Sequence, residues 1–345
     1  MPARAPYAGY RPSAPDEGVR WPDAFGTRFT LFVDTEEEFD WSAPLSRRAR
    51  AVTAITALPD AHRRFVAAGV PVTYMLDHPV ATDARAVALI REMFVQGGAS
   101  VGTQLHPWVN PPFPDVPAPD RGFPGALSPS LEAAKLDVLT AAIERAFGAR
   151  PLAYRAGRYG IGPATAPLLA SRGYRLDSSM RSRYCYAAEG GPDFRAVGPH
   201  AFHLSPGLVE LPLTTVFTGR ARARGVALHR AAGRVPRGRG ALARLGLVSR
   251  VALTPEGMPL REALEAVRAA VGEGVRVLNF AFHSPTLVPG HTPYTRDESD
   301  VMAFWRWWDG VLAELARLGV RAASLDEVIA ATGPGALPEA ACGGL

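Results

Sequence analysis

The sequence predicts a parallel α/β barrel-like domain, on three observations. Strand-like and helix-like segments alternate over about 300 residues, the pattern of a parallel sheet wrapped by helices. The strand-like segments are rich in β-branched and aromatic residues, and Gly, Pro, Ser and Thr punctuate the helical ones. Four of the strand ends carry polar, chemistry-bearing residues, and in parallel barrels the carboxyl ends of the strands converge on one face.

Residues 1–25 are expected as a flexible extension, being rich in Pro and Gly without periodicity. Thr27 to Asp34 reads as a buried strand. A helix is expected from Ala49 to Gly69, its stop, then a strand from Val70 to Leu76. Thr82 is the expected N-cap of a helix that runs to Gln96 and closes at Gly97-Gly98. Ser100 to Leu105 is a short strand, and Pro107 to Pro124 a proline-dense loop whose length suggests a substrate rim. Ser128 to Phe147 reads as an amphipathic helix with Pro129 in its first turn. A strand at Leu152–Arg155, a helix at Gly162–Arg172 and a strand at Tyr174–Asp177 follow.

The middle, about 184–255, breaks this rhythm. Short β-like pieces (Ala201–Leu204 and Leu208–Thr215) precede an arginine-rich stretch at about 219–250, read as an insertion. Alternation resumes with a helix at Leu260–Val271 and a strand at Val275–Phe282. A long helix at Arg296–Leu318 carries Trp305, Trp307 and Trp308 as packing residues. A strand at Val320–Ala322 and a helix from Ser324 to about Ala331 complete one domain over 26–332, with a flexible tail at 333–345.

Composition narrows the function. The chain has 345 residues, 47% hydrophobic and 21% charged, as in ordinary globular proteins. No apolar run approaches the roughly 20 residues of a membrane helix, and the first residues lack an apolar signal core, so a cytoplasmic location is expected. Two cysteines, Cys185 and Cys342, exclude a disulfide framework or a cysteine-based zinc site. The net charge of +5 hides nine arginines and no acid between 219 and 250. Such a stretch attracts acidic glycans or phosphorylated carriers, or is simply a solvated surface. Nucleic acid is not expected, because no aromatic residue interleaves the arginines.

Four strand ends carry the chemistry. At Asp34-Thr35-Glu36 two acids stand two apart after an apolar strand, so one can act as base while the other holds a cation. His106, before Pro107, is a candidate metal ligand as a neutral imidazole. Arg155 and Arg158 follow the next strand, where arginine can fix a carboxylate or stabilise an oxyanion. Tyr159-Gly160 allows close approach of the backbone to a substrate. His283 ends the run VRVLNFAF and suits a general acid protonating a leaving amine. Asp177-Ser178-Ser179 orients an arginine or caps a helix.

These stretches, in this order, resemble the polysaccharide deacetylase family, whose NodB-homology fold is a distorted parallel (β/α) barrel of the glycoside hydrolase/deacetylase type. More narrowly the chain resembles the WalW-type branch of cell-surface polysaccharide biosynthesis proteins, over about 27–330. The resemblance implies Asp34 as base, Glu36 as metal ligand, Arg155 as the residue that orients the base and His283 as general acid, with the Asp177 segment lining the groove. The family's first motif has adjacent aspartates, whereas here Thr35 follows Asp34 and the second acid is Glu36. Gln104 and Trp108 stand where its two metal-binding histidines fall, leaving His106 as the imidazole. The implied metal set is Glu36, Gln104 and His106, for a loosely held divalent ion, zinc foremost. Trp108, Arg158, Tyr159 and Asp177 are the expected substrate contacts.

The expectation is a hydrolase that removes an N-acyl group, acetyl foremost, from an amino sugar of a polysaccharide or its precursor. Two rivals share the scaffold: a glycan-binding member whose motif has decayed, and a hydrolase of cyclic amides or ureides.

Overall fold

The computed structural model describes residues 9–12, 18–113 and 122–333. Expectations for the rest of the extension, for 114–121 of the proline-dense loop and for the tail from 334 lie outside the described residues. In chain order the elements are β1 (Arg28–Thr35), α1 (Leu58–Ala67), β2 (Val72–Leu76), α2 (His78–Thr82), α3 (Ala84–Gln96), β3 (Ala99–Leu105) and α4 (Pro129–Phe147). There follow β4 (Ala153–Ala156), α5 (Thr165–Ala170), β5 (Leu176–Asp177), β6 (Phe202–Ser205), β7 (Leu208–Glu210) and β8 (Thr215–Thr218). The chain continues with α6 (Gly225–Ala232), α7 (Gly238–Arg244), β9 (Ser249–Ala252), α8 (Leu260–Gly272), β10 (Val277–His283), α9 (Glu298–Arg317), β11 (Arg321–Ala322) and α10 (Leu325–Ala331).

Strands pair in the order β10-β1-β2-β3-β4-β5-β7-β6, all parallel except β6, with β11 beside the start of β1. The sheet curls into a half-barrel. Main chain rather than a full strand spans the gap between β5 and β10. Leu213 N–H donates to Met180 O, Thr214 N–H to Asn279 O, Leu253 N–H to Thr214 O and Ala281 N–H to Leu253 O.

Side chains alternate across a strand with a period of two, and this sorts the core into two layers. Phe29, Leu31 and Val33 of β1 join Leu278, Phe280 and Phe282 of β10 in the outer core, under the helices. Phe32, Met75, Ala153, Leu176 and Val277 fill the barrel interior. The next interior positions toward the carboxyl ends of β1 and β4 are Asp34 and Arg155, and on β10 the same face runs from Val277 through Asn279 to His283 at its end. The alternation that builds the core thus delivers the polar residues to its open end.

Several elements differ from the sequence expectation for local reasons. The helix expected at 49–69 begins at Leu58, after a 3₁₀ turn at Thr53–Ala57, with Pro59 in its first turn. Asp83, not Thr82, caps α3 by accepting from Ala86 N–H at 2.8 Å, while Thr82 ends the short helix α2 that Asp77 caps. The piece expected at Leu208–Thr215 splits into β7 and β8, which belong to different sheets. The arginine-rich stretch holds two short helices beside the antiparallel β8–β9 pair. Among the described residues no helix is long and apolar enough to cross a membrane.

Trp307 and Trp308 of α9 are buried, Trp308 packing at 5.7 Å from Phe280 and 5.1 Å from Phe65 by ring centroids. Trp308→Ala is expected to cost about 3–5 kcal/mol, through lost burial and a residual cavity. Urea unfolding checks it, and a loss below 1 kcal/mol would show that α9 is not the main cover of β10.

Candidate active site

The carboxyl ends of the strands open into a cavity of about 680 Å³. Strand register places its key residues. Asp34 sits opposite His283 across β1–β10, and Gln104 opposite Arg155 across β3–β4. The curl of the sheet then brings β4 toward β1. Arg155, 1% exposed, donates from Nη1 to Asp34 Oδ1 at 2.6 Å. Its remaining donors meet Ser178: Nε reaches the carbonyl at 3.0 Å and Nη2 the hydroxyl at 2.9 Å. Asn279, one layer deeper, donates to the same hydroxyl at 2.9 Å and faces Thr30 Oγ1 at 3.1 Å. A continuous polar chain therefore runs from the barrel interior to Asp34.

The second oxygen of Asp34 lies 3.7 Å from His283 Nε2. Glu256 grips the other side of His283, accepting from its backbone N–H at 2.9 Å and contacting Nδ1 at 2.7 Å. Burial alone would lower the pKa of this imidazole, but the charges of Glu256, Glu36 and Asp34 and the hydrogen bond to Glu256 lift it to about 10. His283 therefore carries a proton at neutral pH.

His106 has the opposite environment. Burial lowers its pKa and outweighs the pull of Glu36, Asp77 and Asp34, which favours the neutral ring. Its Nδ1 lies 2.8 Å from Glu37 Oε2, and its ring stacks on Trp108 with centroids 4.2 Å apart. Trp108 Nε1 donates to Glu37 Oε1 at 2.6 Å. Held on one side, His106 turns Nε2 toward Glu36, 3.5 Å from Oε2. Gly157 permits this, since a Cβ there would sit 2.5 Å from His106 Cδ2. The next two residues, Arg158 and Tyr159, have φ of 55° and 58°, a left-handed bend that non-glycine residues adopt at a cost and that sets both on the cavity wall.

Two places could attract a metal. Ligand atoms of Glu37, Asp77 and His106 lie within 4.8 Å of one another. Glu37 and Asp77 are fully buried and do not line the cavity, and their oxygens already serve Trp108, His106, Val80 N–H and Glu37 N–H. Burial also raises the Glu37 carboxyl to about 8 and Asp77 well above the carboxylate range. They act best as the support that orients His106. On the cavity side, Glu36 Oε1 and Gln104 Oε1 are both buried without a hydrogen-bond partner, while Glu36 Oε2 accepts from Gln104 Nε2 at 3.1 Å and lies 3.5 Å from His106 Nε2. Burial raises Glu36 to about 7, so a cation there would meet a carboxyl ready to release its proton near neutrality. A carboxylate, an imidazole and an amide oxygen fit a divalent ion.

Nine of the ten residues expected at the site line this cavity: Asp34, Glu36, Gln104, His106, Trp108, Arg155, Arg158, Tyr159 and His283. Asp177 does not. It is fully buried, accepts from Ser179 Oγ and lies against Glu210; the neighbouring Ser178 is what holds Arg155. Sequence reasoning assigned no role to Glu37 or to Glu256. The signal for Glu256 was an acid four residues beyond the short strand β9, at the same end of the sheet as Asp34 at the end of β1. It also missed the aromatic collar. Trp41, 38% exposed, has its ring 5.1 Å from His283 and 5.6 Å from Tyr294, and Phe39 stacks against it at 5.1 Å.

Known proteins resemble the chain in fold. No protein family and no curated protein matches its sequence. Among solved structures, a candidate polysaccharide deacetylase from Mycobacterium smegmatis superposes with a TM-score of 0.54 at 17% identity, over 95% of this chain and 96% of that one. That agreement establishes the fold class. A GH57 branching enzyme from Thermococcus kodakaraensis (TM-score 0.48, 12% identity, 88% of this chain and 71% of that one) is more distant. So is the CE4 family pseudoenzyme BA3943 from Bacillus anthracis (TM-score 0.43, 9% identity, 88% and 66%).

The raised pKa of His283 makes a titration prediction. Its charge contributes stability that is whole below about pH 6.5 and lost as pH rises through 10. In Glu256→Gln, the ring protons followed by NMR should titrate well below 10, toward 6.5 or lower. An unchanged midpoint would show that Glu256 is not what keeps the proton on.

Proposed function

We propose that the protein is a hydrolase that removes an N-acyl group, acetyl foremost, from an amino sugar of a polysaccharide or its precursor. One observation carries this reading: the carboxyl group of Asp34 and the imidazole of His283 stand 3.7 Å apart at a cavity ringed by aromatic side chains. Each is fixed from behind, Asp34 by Arg155 and His283 by Glu256. Base and acid with separately tuned surroundings are what amide hydrolysis needs, because the amine leaves only if it is protonated. The fold shared with the candidate deacetylase of Mycobacterium smegmatis is consistent with this chemistry.

In this mechanism the sugar stacks against Trp41 and Tyr294 and presents its amide to the base of the cavity. Asp34 takes a proton from the attacking water as its oxygen bonds to the carbonyl carbon. His283 Nε2 gives its proton to the amide nitrogen as the C–N bond breaks, releasing a carboxylic acid and a free amine. Glu256 keeps His283 charged until that transfer, and Arg155 prevents Asp34 from swinging onto the imidazole. A divalent ion held by Glu36, Gln104 and His106, zinc foremost, would supply polarisation of the amide carbonyl and a more acidic water. Trp108, Arg158 and Tyr159 are assigned to the substrate wall, and the WalW-like branch of the deacetylases is the relationship we propose.

A second reading has its own observation. The metal set holds one imidazole, with Gln104 and Trp108 flanking it, and a neutral amide is a weak ligand. A member of the same fold that binds glycans without cleaving them would look like this. Acetate release from N-acetylated oligosaccharides separates the two readings. Asp34→Asn should lower kcat by about 10²–10⁴-fold, and a variant as fast as the parent would remove Asp34 from the role of base. Elemental analysis should find one divalent ion per chain that His106→Ala loses. Glycan binding with neither metal nor acetate release would establish the binder.

A further inference from the structure

The cationic side chains of the cavity wall are paired in all but one case. Arg155 meets Asp34, Arg158 meets Glu189 at 2.7 Å, and His283 meets Glu256. Arg181 lines the same cavity and has no carboxylate within ion-pair distance among the described residues. It is surrounded by phenols. Its guanidinium carbon lies 3.9 Å from the ring centre of Tyr184 and 5.7 Å from that of Tyr159, and Nη2 donates to the Tyr184 hydroxyl at 3.2 Å. Its Nε is buried without a hydrogen-bond partner. The bridge between Arg181 and Leu213 ties its backbone to the segment that closes the half-barrel, so its position is set by the fold.

An arginine held this way keeps its charge at any working pH and presents a planar fork suited to a carboxylate or phosphate. The aromatic packing stiffens it, so little ordering entropy is lost when an anion arrives. The same chemistry continues beyond Tyr184. Arg250 lies against that ring at 3.5 Å and opens onto a second cavity of about 750 Å³, lined also by Arg183, Arg230, Arg234 and Arg239.

We propose that Arg181 is an oxyanion subsite of the cavity, and that the glycan acted on carries a carboxylate or phosphate on or next to the amino sugar. This rests on the hydrolase reading for its substrate, although the subsite itself can be tested separately. The probes are an N-acetylhexosamine–uronate oligosaccharide, its carboxyl-reduced neutral form, and a phosphate-bearing N-acetylhexosamine oligosaccharide.

The parent should favour one of the two acidic probes over the neutral one by about tenfold or more in kcat/KM, with the preference shrinking as salt is added. The preferred probe tells carboxylate from phosphate. Arg181→Gln should abolish that preference, through a KM for the acidic probe raised about tenfold or more, with kcat little changed. Arg181→Lys should restore part of it. Equal preference in the parent, or equal losses on acidic and neutral probes in Arg181→Gln, would overturn the subsite. Calorimetry on Asp34→Asn separates the two proposals. If no probe is hydrolysed by the parent, yet the acidic one binds and Arg181→Gln weakens it about tenfold, the subsite stands and the hydrolase falls. If only the neutral probe is hydrolysed, the subsite falls and the hydrolase stands.

Discussion

The ion pair between Arg155 and Asp34, closed inside the curled sheet, is the constraint on which the rest of the site depends. Both side chains are almost fully buried, and the contact is 2.6 Å. Breaking such a pair by removing one partner leaves an uncompensated buried charge, at about 3–5 kcal/mol. The surroundings answer this demand. Ser178 accepts from the other two guanidinium nitrogens, Asn279 anchors Ser178, and Thr30 faces Asn279. Elements far apart in the chain are thereby locked to one geometry. Arg155 also occupies only one oxygen of Asp34, so the second is left facing His283 and the cavity.

Two histidines at the same rim show how surroundings divide one residue type between two tasks. His106 is enclosed, stacked on Trp108, and burial keeps its ring neutral. That suits a ligand with a lone pair to offer. His283 lies between acids and stays protonated, which suits a proton donor. In each case the inner nitrogen meets a buried glutamate, Glu37 or Glu256. The difference lies in the partner: Glu256, its own pKa lowered, raises His283 by charge and by hydrogen bond, whereas Glu37 is itself pushed up to about 8 and burial of His106 prevails over Glu36, Asp77 and Asp34.

Much of the fold was legible because the strands are short, apolar and separated by helices with clear Gly and Pro punctuation. The period of two along Thr27 to Asp34 already implied that Phe32 and Asp34 share a face, and the same holds for Asn279 and His283. The cap of α3 was misplaced by one residue, since Thr82 and Asp83 are both competent caps and local sequence does not say which residue the backbone will extend. The helix expected from Ala49 was too long because Ala and Arg favour helix locally, whereas the chain at 49–52 is irregular and Glu38 pairs with Ala51 instead. Asp177 was placed at the groove by its position after a strand. Its strand has only two residues, and the side chain turns inward to Ser179 and Glu210.

The sequence by itself determined which residues end the strands and which face of each strand they share, because alternation is a local property of extended backbone. It therefore contained the acid, the imidazoles and the arginine of the site, and the parallel half-barrel that gathers them. Only the tertiary structure decided the partners. Glu256 reaches His283 from 27 positions away, Glu37 supports His106 from 69, and Arg181 ends among tyrosines with no acid in ion-pair distance among the described residues. Pairing of charges is settled by distance and burial, quantities that exist only once the sheet has curled.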